Sequence, residues 1–190
     1  ATNPVNYVNG AKDQLKQISW FSSSYVEVKL APWLRFRQNL GLGYNDGHRG
    51  TYYDRHTQEG RTPNNGLAGK ATSIWKSFTA ESILTFDKKW GVHALNAVVG
   101  MTFEKGTGEN TSMSATNFPT DYTQDNDMSL ALDRATIASS TTEQALESFL
   151  GRINYTLMDK YIFTASVRTD GSSSFAENNK WATFLSGAFA

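Results

Sequence analysis

The sequence predicts an all-β chain: an antiparallel up-and-down meander of about seven long strands, forming part of a large transmembrane β-barrel. Three observations lead there. Apolar and polar residues alternate with a period of two over long stretches, the connections alternate between short and long, and a polar chain carries many aromatic rings. Hydrophobic residues make up 39% of the 190 and mean hydropathy is −0.47, yet aromatics reach 13%. That excludes a helical membrane protein, and no stretch nears the roughly 20 apolar residues a spanning helix needs. A barrel strand wets one face, turns the other to lipid and carries rings at both interfaces, which accounts for the combination. A carbohydrate-binding β-sandwich of a surface or secreted protein would share this composition, and alternation alone does not separate the two.

Lysine plus arginine number 18 and aspartate plus glutamate 18, so the net charge is zero and no basic surface for nucleic acid is indicated. There is no cysteine, hence no disulfide or thiolate metal site. The N-terminus lacks the basic-then-apolar pattern of a signal segment. At the other end the alternating run is still in progress at Gly187, Ala188, Phe189 and Ala190. Residues 1–190 are therefore expected to be a partial barrel, an internal piece of a longer protein.

Taken in order, residues 1–16 are turn-rich, with Asn3-Pro4 and Asn9-Gly10, and read as the tail of a loop. Residues 17–30 form the first strand, with Trp20, Val26, Val28 and Leu30 opposite Glu27 and Lys29; Ala31, Pro32 and Trp33 reverse it. In residues 34–44, Leu34, Phe36, Leu40, Leu42 and Tyr44 alternate with Arg35, Arg37, Asn39, Gly41 and Gly43. Residues 45–73 have no periodicity and read as a long loop. A second pair, 74–86 and 92–104, turns at 87–91, and 105–145 reads as another long loop. A third pair turns at Met158, Asp159 and Lys160: Phe149, Gly151, Ile153, Tyr155 and Leu157 share a face with Tyr161, Phe163, Ala165 and Val167, leaving a mainly polar face of Leu150, Arg152, Asn154, Thr156, Ile162, Thr164, Ser166 and Arg168. Each strand is expected to run about 9 to 14 residues, the length a tilted strand needs to cross a bilayer. Trp20, Trp33, Trp90, Tyr161 and Trp181 sit near strand ends, where interfacial rings belong.

With the hairpins placed, the chain resembles the SusC/RagA family of TonB-dependent outer-membrane transporters from Bacteroidetes. The residues that carry the resemblance are Gly151-Arg152, Asn154-Tyr155, Lys160-Tyr161, Thr164-Ala165-Ser166, Arg168, Asp170-Gly171-Ser172-Ser173, Phe175 and Asn179-Lys180-Trp181. Upstream, residues 34–43, Trp90-Gly91 with His93-Ala94-Leu95-Asn96, and Ala115-Thr116-Asn117-Phe118-Pro119 add to it. Ser174, Ala182 and Leu185 depart from the family's usual Arg, Gly and Pro. The resemblance implies a barrel of about 22 strands closed by a plug and located in the Gram-negative outer membrane. It implies TonB-driven import of oligosaccharides or peptides, with a SusD-like surface lipoprotein and the TonB complex as partners. The plug and TonB box fall outside these residues, and a passive porin is the remaining alternative.

Candidate sites follow from the same layout. Tyr52, Tyr53 and Phe118 lie in the expected outer loops, where rings could stack on a sugar or pack on neighbouring loops. Arg35, Arg37, Arg152 and Arg168 are expected to face the lumen, touching plug or substrate, or pairing across strands with Glu27 or Glu81. His48, His56 and His93 lack ligand spacing, and the acidic run Asp121, Asp125, Asp127 lacks the spacing of an EF-hand and reads as a solvated loop. No catalytic pair is recognisable, so neither enzymatic activity nor a cofactor is expected.

Overall fold

A computed structural model describes residues 4–190. Its seven strands form one antiparallel sheet in sequence order: β1 (Ala11–Ala31), β2 (Leu34–Tyr53), β3 (Leu67–Trp90), β4 (His93–Thr116), β5 (Thr136–Leu157), β6 (Tyr161–Ser172) and β7 (Trp181–Phe189). This is the up-and-down meander the alternation predicts, and it is a single sheet, not the two of a sandwich. Connections at the short end are two or three residues: Pro32 and Trp33, Gly91 and Val92, and Met158 to Lys160. In the last of these the Lys160 N–H donates to the Leu157 carbonyl over 3.1 Å, with φ of 54° at both Met158 and Asp159. Two left-handed central residues make a type I′ turn, whose twist matches that of the flanking strands.

Two expectations are corrected. Strands β1 to β5 run 20 to 24 residues, so much of the two stretches read as loops, 45–73 and 105–145, is strand. The irregular parts are only 54–66 and 117–135. These extensions, rich in Gly, Asn, Thr and charge, are held by the backbone ladder and send only scattered apolar residues such as Tyr52, Ala68 and Ala115 into a core, so they carry no regular apolar alternation to read. Residues 4–10, expected in a loop, form a short helix, α1 (Pro4–Gly10). Proline suits its first position because its missing N–H would be unpaired there anyway.

The chain divides into two compact units. One gathers residues up to Trp20 with Tyr44–Trp75 and Gly108–Thr142; the other gathers Phe21–Gly43, Lys76–Thr107 and Glu143–Ala190. Strands β1 to β5 contribute residues to both.

In the second unit the register pairs Phe149 with Thr169, Gly151 with Val167, Ile153 with Ala165 and Tyr155 with Phe163, and continues Val167 to Leu185 and Phe163 to Phe189. Paired residues share a face, so this one is apolar. The opposite face pairs Arg152 with Ser166 and Asn154 with Thr164, then Ser166 with Ser186. Its polar groups meet across strands: Asn96 accepts from Asn154 at 3.4 Å, Thr164 donates to Asn154 at 2.9 Å, and Ser166 and Ser186 hydroxyls lie 2.7 Å apart.

Rings bound the apolar face. At the short-turn end Trp90, His93, Tyr155, Phe163 and Phe189 follow one another across the sheet with centroids 4.9 to 6.3 Å apart, and the Tyr155 hydroxyl lies 2.6 Å from His93 Nδ1. Further along the strands Phe78 meets Phe103, and Phe149 stacks on Trp181. Between His93 and Phe103, β4 presents Leu95, Ala97, Val99 and Met101 to this side. Ten residues at ~3.3 Å, tilted by ~40°, span about 25 Å, the height of the apolar band of an outer-membrane barrel.

The type I′ turn generates a prediction. Met158 and Asp159 hold a backbone conformation that Asn-Gly adopts without strain. Replacing both, Met158→Asn with Asp159→Gly, removes an exposed Lys89–Asp159 ion pair of small worth. The double variant should stabilise the folded sheet by about 1 kcal/mol, seen as a raised denaturation midpoint in detergent. An unchanged or lowered midpoint would count against strain at this turn.

Candidate functional site

The buried core lies in the first unit, where the two irregular segments meet the ends of β2, β3 and β4. Tyr52, Ala68, Ala115 and Phe118 are buried, with Met128 and Ala131 against them. Phe118 is 0% exposed and Tyr52 1%. Their rings meet edge to face at 5.9 Å. The Tyr52 hydroxyl donates to Asp121 Oδ1 at 2.6 Å, and Arg55 Nε donates to Asp121 Oδ2 at 2.8 Å while its other nitrogen reaches the Phe118 carbonyl. Backbone bonds stitch segment to segment: Asn117 N–H to the Asn64 carbonyl at 2.7 Å and Phe118 N–H to that of Asn65 at 3.0 Å. Gly66, at φ 93°, lets the chain pass directly over the Tyr52 hydroxyl. Burial, and then the bond to Asp121, push the Tyr52 hydroxyl well above the ordinary tyrosine range.

Of the three candidate stacking rings, therefore, Tyr52 and Phe118 are packed on each other and closed to solvent in this conformation. Tyr53 differs: it is half-buried, with its ring 6.3 Å from that of Tyr7 in α1. Nearby, Arg49 forms a two-pronged pair with Asp13, whose hydrogen bonds hold the Asp13 carboxyl below its usual range. Tyr7 and Tyr53 form the accessible aromatic pair of this unit. Tyr7 was not a sequence candidate because α1 was not foreseen.

The acidic run is not a solvated loop. Asp121 is held by Tyr52 and Arg55, Asp125 is buried and takes Lys12 at 2.6 Å, and Asp127 caps the turn Met128–Leu130 by accepting from the Ser129 N–H. Three carboxylates with three separate partners are structural ties, not one ligand set; among the described residues no group of three or more His, Cys, Asp or Glu gathers for a metal. His48 pairs with Asp46, and His93 belongs to the ring row.

In the second unit the four arginines lie on the polar face. Arg37 sits 4.0 Å over the Tyr25 ring and donates to Asn39 at 2.8 Å, and Asn39 in turn donates to Glu81 at 2.6 Å. Glu81 thus reaches Arg37 through Asn39. Arg168 bonds Asp170 at 2.9 Å and Ser148 at 3.4 Å. Arg35 and Arg152 are exposed.

No family model matches the chain. Among characterised proteins it is 29% identical to TonB-dependent receptor P3 of Formosa agariphila over 99% of its own length and 19% of the receptor's. It is 26% identical to the TonB-dependent receptor SusC of Bacteroides thetaiotaomicron over 97% of this chain and 18% of that one. In structure it superposes on the RagAB peptide transporter with a TM-score of 0.86 over 95% of this chain and 20% of that chain, at 18% identity. The SusC/RagA resemblance holds. It runs along nearly the whole chain in sequence and in fold, and the chain spans about a fifth of the SusC-like relatives it matches. The ferric citrate transporter FecA follows the same fold more loosely, at a TM-score of 0.54. The SusC/RagA likeness thus covers both units, the apolar-faced wall and the packed loop core.

Cutting the loop core has a defined expected outcome. Phe118→Ala should cost about 3–5 kcal/mol locally, read as loss of amide-exchange protection at residues 64–66 and 116–118, while residues 149–169 keep theirs. Tyr52→Phe should cost about 1–2 kcal/mol by leaving Asp121 short of a donor. Because the folded hydroxyl ionises above the unfolded one, the Tyr52 contribution is fully present below about pH 10 and is lost as pH rises beyond it. The alkaline loss of protection should disappear in Tyr52→Phe; its persistence would assign that loss to another group.

Proposed function

We propose that this chain is a wall-and-loop segment of an outer-membrane TonB-dependent importer of oligosaccharides or peptides, working with a SusD-like surface lipoprotein. The observation that carries the reading is the two-faced sheet: one face apolar between two sets of rings about 25 Å apart, the other lined with hydrogen-bonded polar groups and arginines, with irregular chain only at one end of the strands. Energised import needs a plug and a TonB-contacting segment, which the proposal places elsewhere in the intact protein. Arg35, Arg37, Arg152 and Arg168 then face the lumen, and Tyr53 with Tyr7 is the ring pair within reach of substrate. Tyr52 and Phe118 serve by holding the two outer segments as one body. The chemistry is binding and passage, with no bond made or broken.

Cysteine is absent from the chain, which makes the facing directly testable. In the intact protein in outer-membrane vesicles, a water-soluble maleimide should label Asn154→Cys and Ser166→Cys but not Val99→Cys or Ile153→Cys. Equal labelling of both sets would overturn the lipid-facing assignment. Uptake of the cognate substrate should vanish when TonB is deleted; uptake that persists would favour a passive pore. Tyr53→Ala should weaken substrate binding about tenfold if the ring stacks on substrate, in line with stacking energies of roughly 1–3 kcal/mol.

A further inference from the structure

We propose that the long-loop end of β5 binds an extended peptide by adding it to the sheet as a further strand, recognising its backbone and not its side chains. The proposal rests on the importer reading above and selects peptides from the two cargo classes named there. β5 is an internal strand with a neighbour on each side, but the two neighbours differ in reach. β4 runs on to Thr116, and Thr142 still donates to the Gly108 carbonyl at 3.5 Å. β6 ends at Ser172, the partner of Leu146, and residues 173–180 then lead back into β7. The last backbone bond on that side joins the Ser173 N–H to the Ala145 carbonyl at 2.9 Å. Every residue from Thr136 to Gln144 is exposed, and burial begins at Ala145, where Ser173 arrives. Among the described residues, then, residues 136–142 of β5 have a ladder on one side and an open sheet edge on the other.

Alternation fixes which groups that edge offers. Ala145 turns both its carbonyl and its N–H toward Ser173, the N–H donating to Ser173 Oγ at 2.8 Å. In an antiparallel ladder every second residue repeats that orientation, so Ile137, Ser139 and Thr141 direct N–H and C=O away from β4. These pairs recur about every 6.8 Å along the strand with no strand opposite them. Open edges are normally blunted by lysine, proline, an inward-pointing charge or a covering segment. Residues 136–142, TIASSTT, hold no lysine, proline or charged side chain and form one uninterrupted piece of strand.

The pattern of the edge selects its ligand. The complement of alternating N–H and C=O pairs at that repeat is a second extended backbone, and the hydroxyls of a sugar chain carry no such repeat. The flanks then decide between a fixed protein partner and a free peptide. Strand addition gains specificity from pockets that take alternate side chains of the added strand. Here one flank is Ala138, Ser140 and Thr142 and the other Ile137, Ser139 and Thr141, all small and neutral except Ile137, which is itself 71% exposed. Backbone bonds beside flat, uncharged flanks accept peptides of varied sequence and of either charge, as an importer's cargo requires.

The test uses the intact protein in mild detergent, its folded barrel verified by heat-modifiable gel migration. The probe is a capped, fluorescent heptapeptide of alternating threonine and valine, N-methylated on every second amide so that one clean edge remains, and its isomer methylated on every amide. The expected result is at least tenfold tighter binding of the first. Amide exchange at Ile137, Ser139 and Thr141 should be fast without peptide and slow with it, while Ala138, Ser140 and Thr142 stay protected by β4 throughout. Ser139→Pro with Thr141→Pro removes two outward donors and spares the bonds to β4, and should weaken binding at least tenfold; Ser139→Ala with Thr141→Ala should retain it. The wild-type comparison of the two peptides decides the proposal even if the proline variant fails to fold. Equal binding of both peptides, unchanged binding in a folded proline variant, or displacement by a linear neutral heptasaccharide would each overturn it while leaving the barrel reading standing. So would slow exchange at the three edge amides before peptide is added, because another segment of the intact protein would then cover the edge. Failure of the protein to enter the outer membrane at all would remove both.

Discussion

Every backbone N–H and C=O in a hydrocarbon layer needs a partner from the protein, and most features of this chain answer that constraint. A meander in sequence order meets it with the shortest connections available, pairing each strand with its predecessor. Once the ladder is fixed, side chains are sorted to two faces with no third choice. Gly151, Val167 and Leu185 fall in one line, and Arg152, Ser166 and Ser186 in the next. The polar line is itself cross-bonded, so a residue such as Asn154 is satisfied by Asn96 and Thr164 on both neighbouring strands.

In the first unit a different economy appears. The first unit has the only fully buried large side chains among the described residues, Tyr52, Phe118 and Thr57. A single sheet offers no interior of its own, so the compact core forms where chain can fold back on the strands. Charge then serves as mortar: Asp121 links Tyr52 to Arg55, and Asp125 links Lys12 of the first strand to a turn more than a hundred residues later.

Fold class, strand order and the faces of the third hairpin were legible in the sequence because alternation and turn chemistry are local. Met158, Asp159 and Lys160 signal a reversal by composition alone. What was not legible has one physical origin. Past the aromatic rows apolar residues such as Tyr52 and Ala115 are too sparse to alternate, so strand residues such as 45–53 and 105–116 look like loop, although the ladder continues through them. The partners of Tyr52, Phe118, Asp121 and Asp125 depend on contacts between segments more than fifty residues apart, which periodicity cannot report. The residue types were flagged, but their burial reverses the emphasis: two of the three rings singled out for stacking, Tyr52 and Phe118, are among the most enclosed side chains, and only Tyr53, on the other face of the same strand end, stays half-buried.

The short turns carry a further consequence, for how such a protein can diversify. At Met158 to Lys160 there is no slack: one added residue would slide β6 against β5 and carry Val167 and Phe163 to the polar side. Length variation is thereby barred from one end of the strands and admitted at the other, where 54–66 and 117–135 already depart from the ladder. A lineage built on this plan can remodel its outer surface by insertion and deletion while its membrane wall changes only by substitution, one residue at a time and within a face.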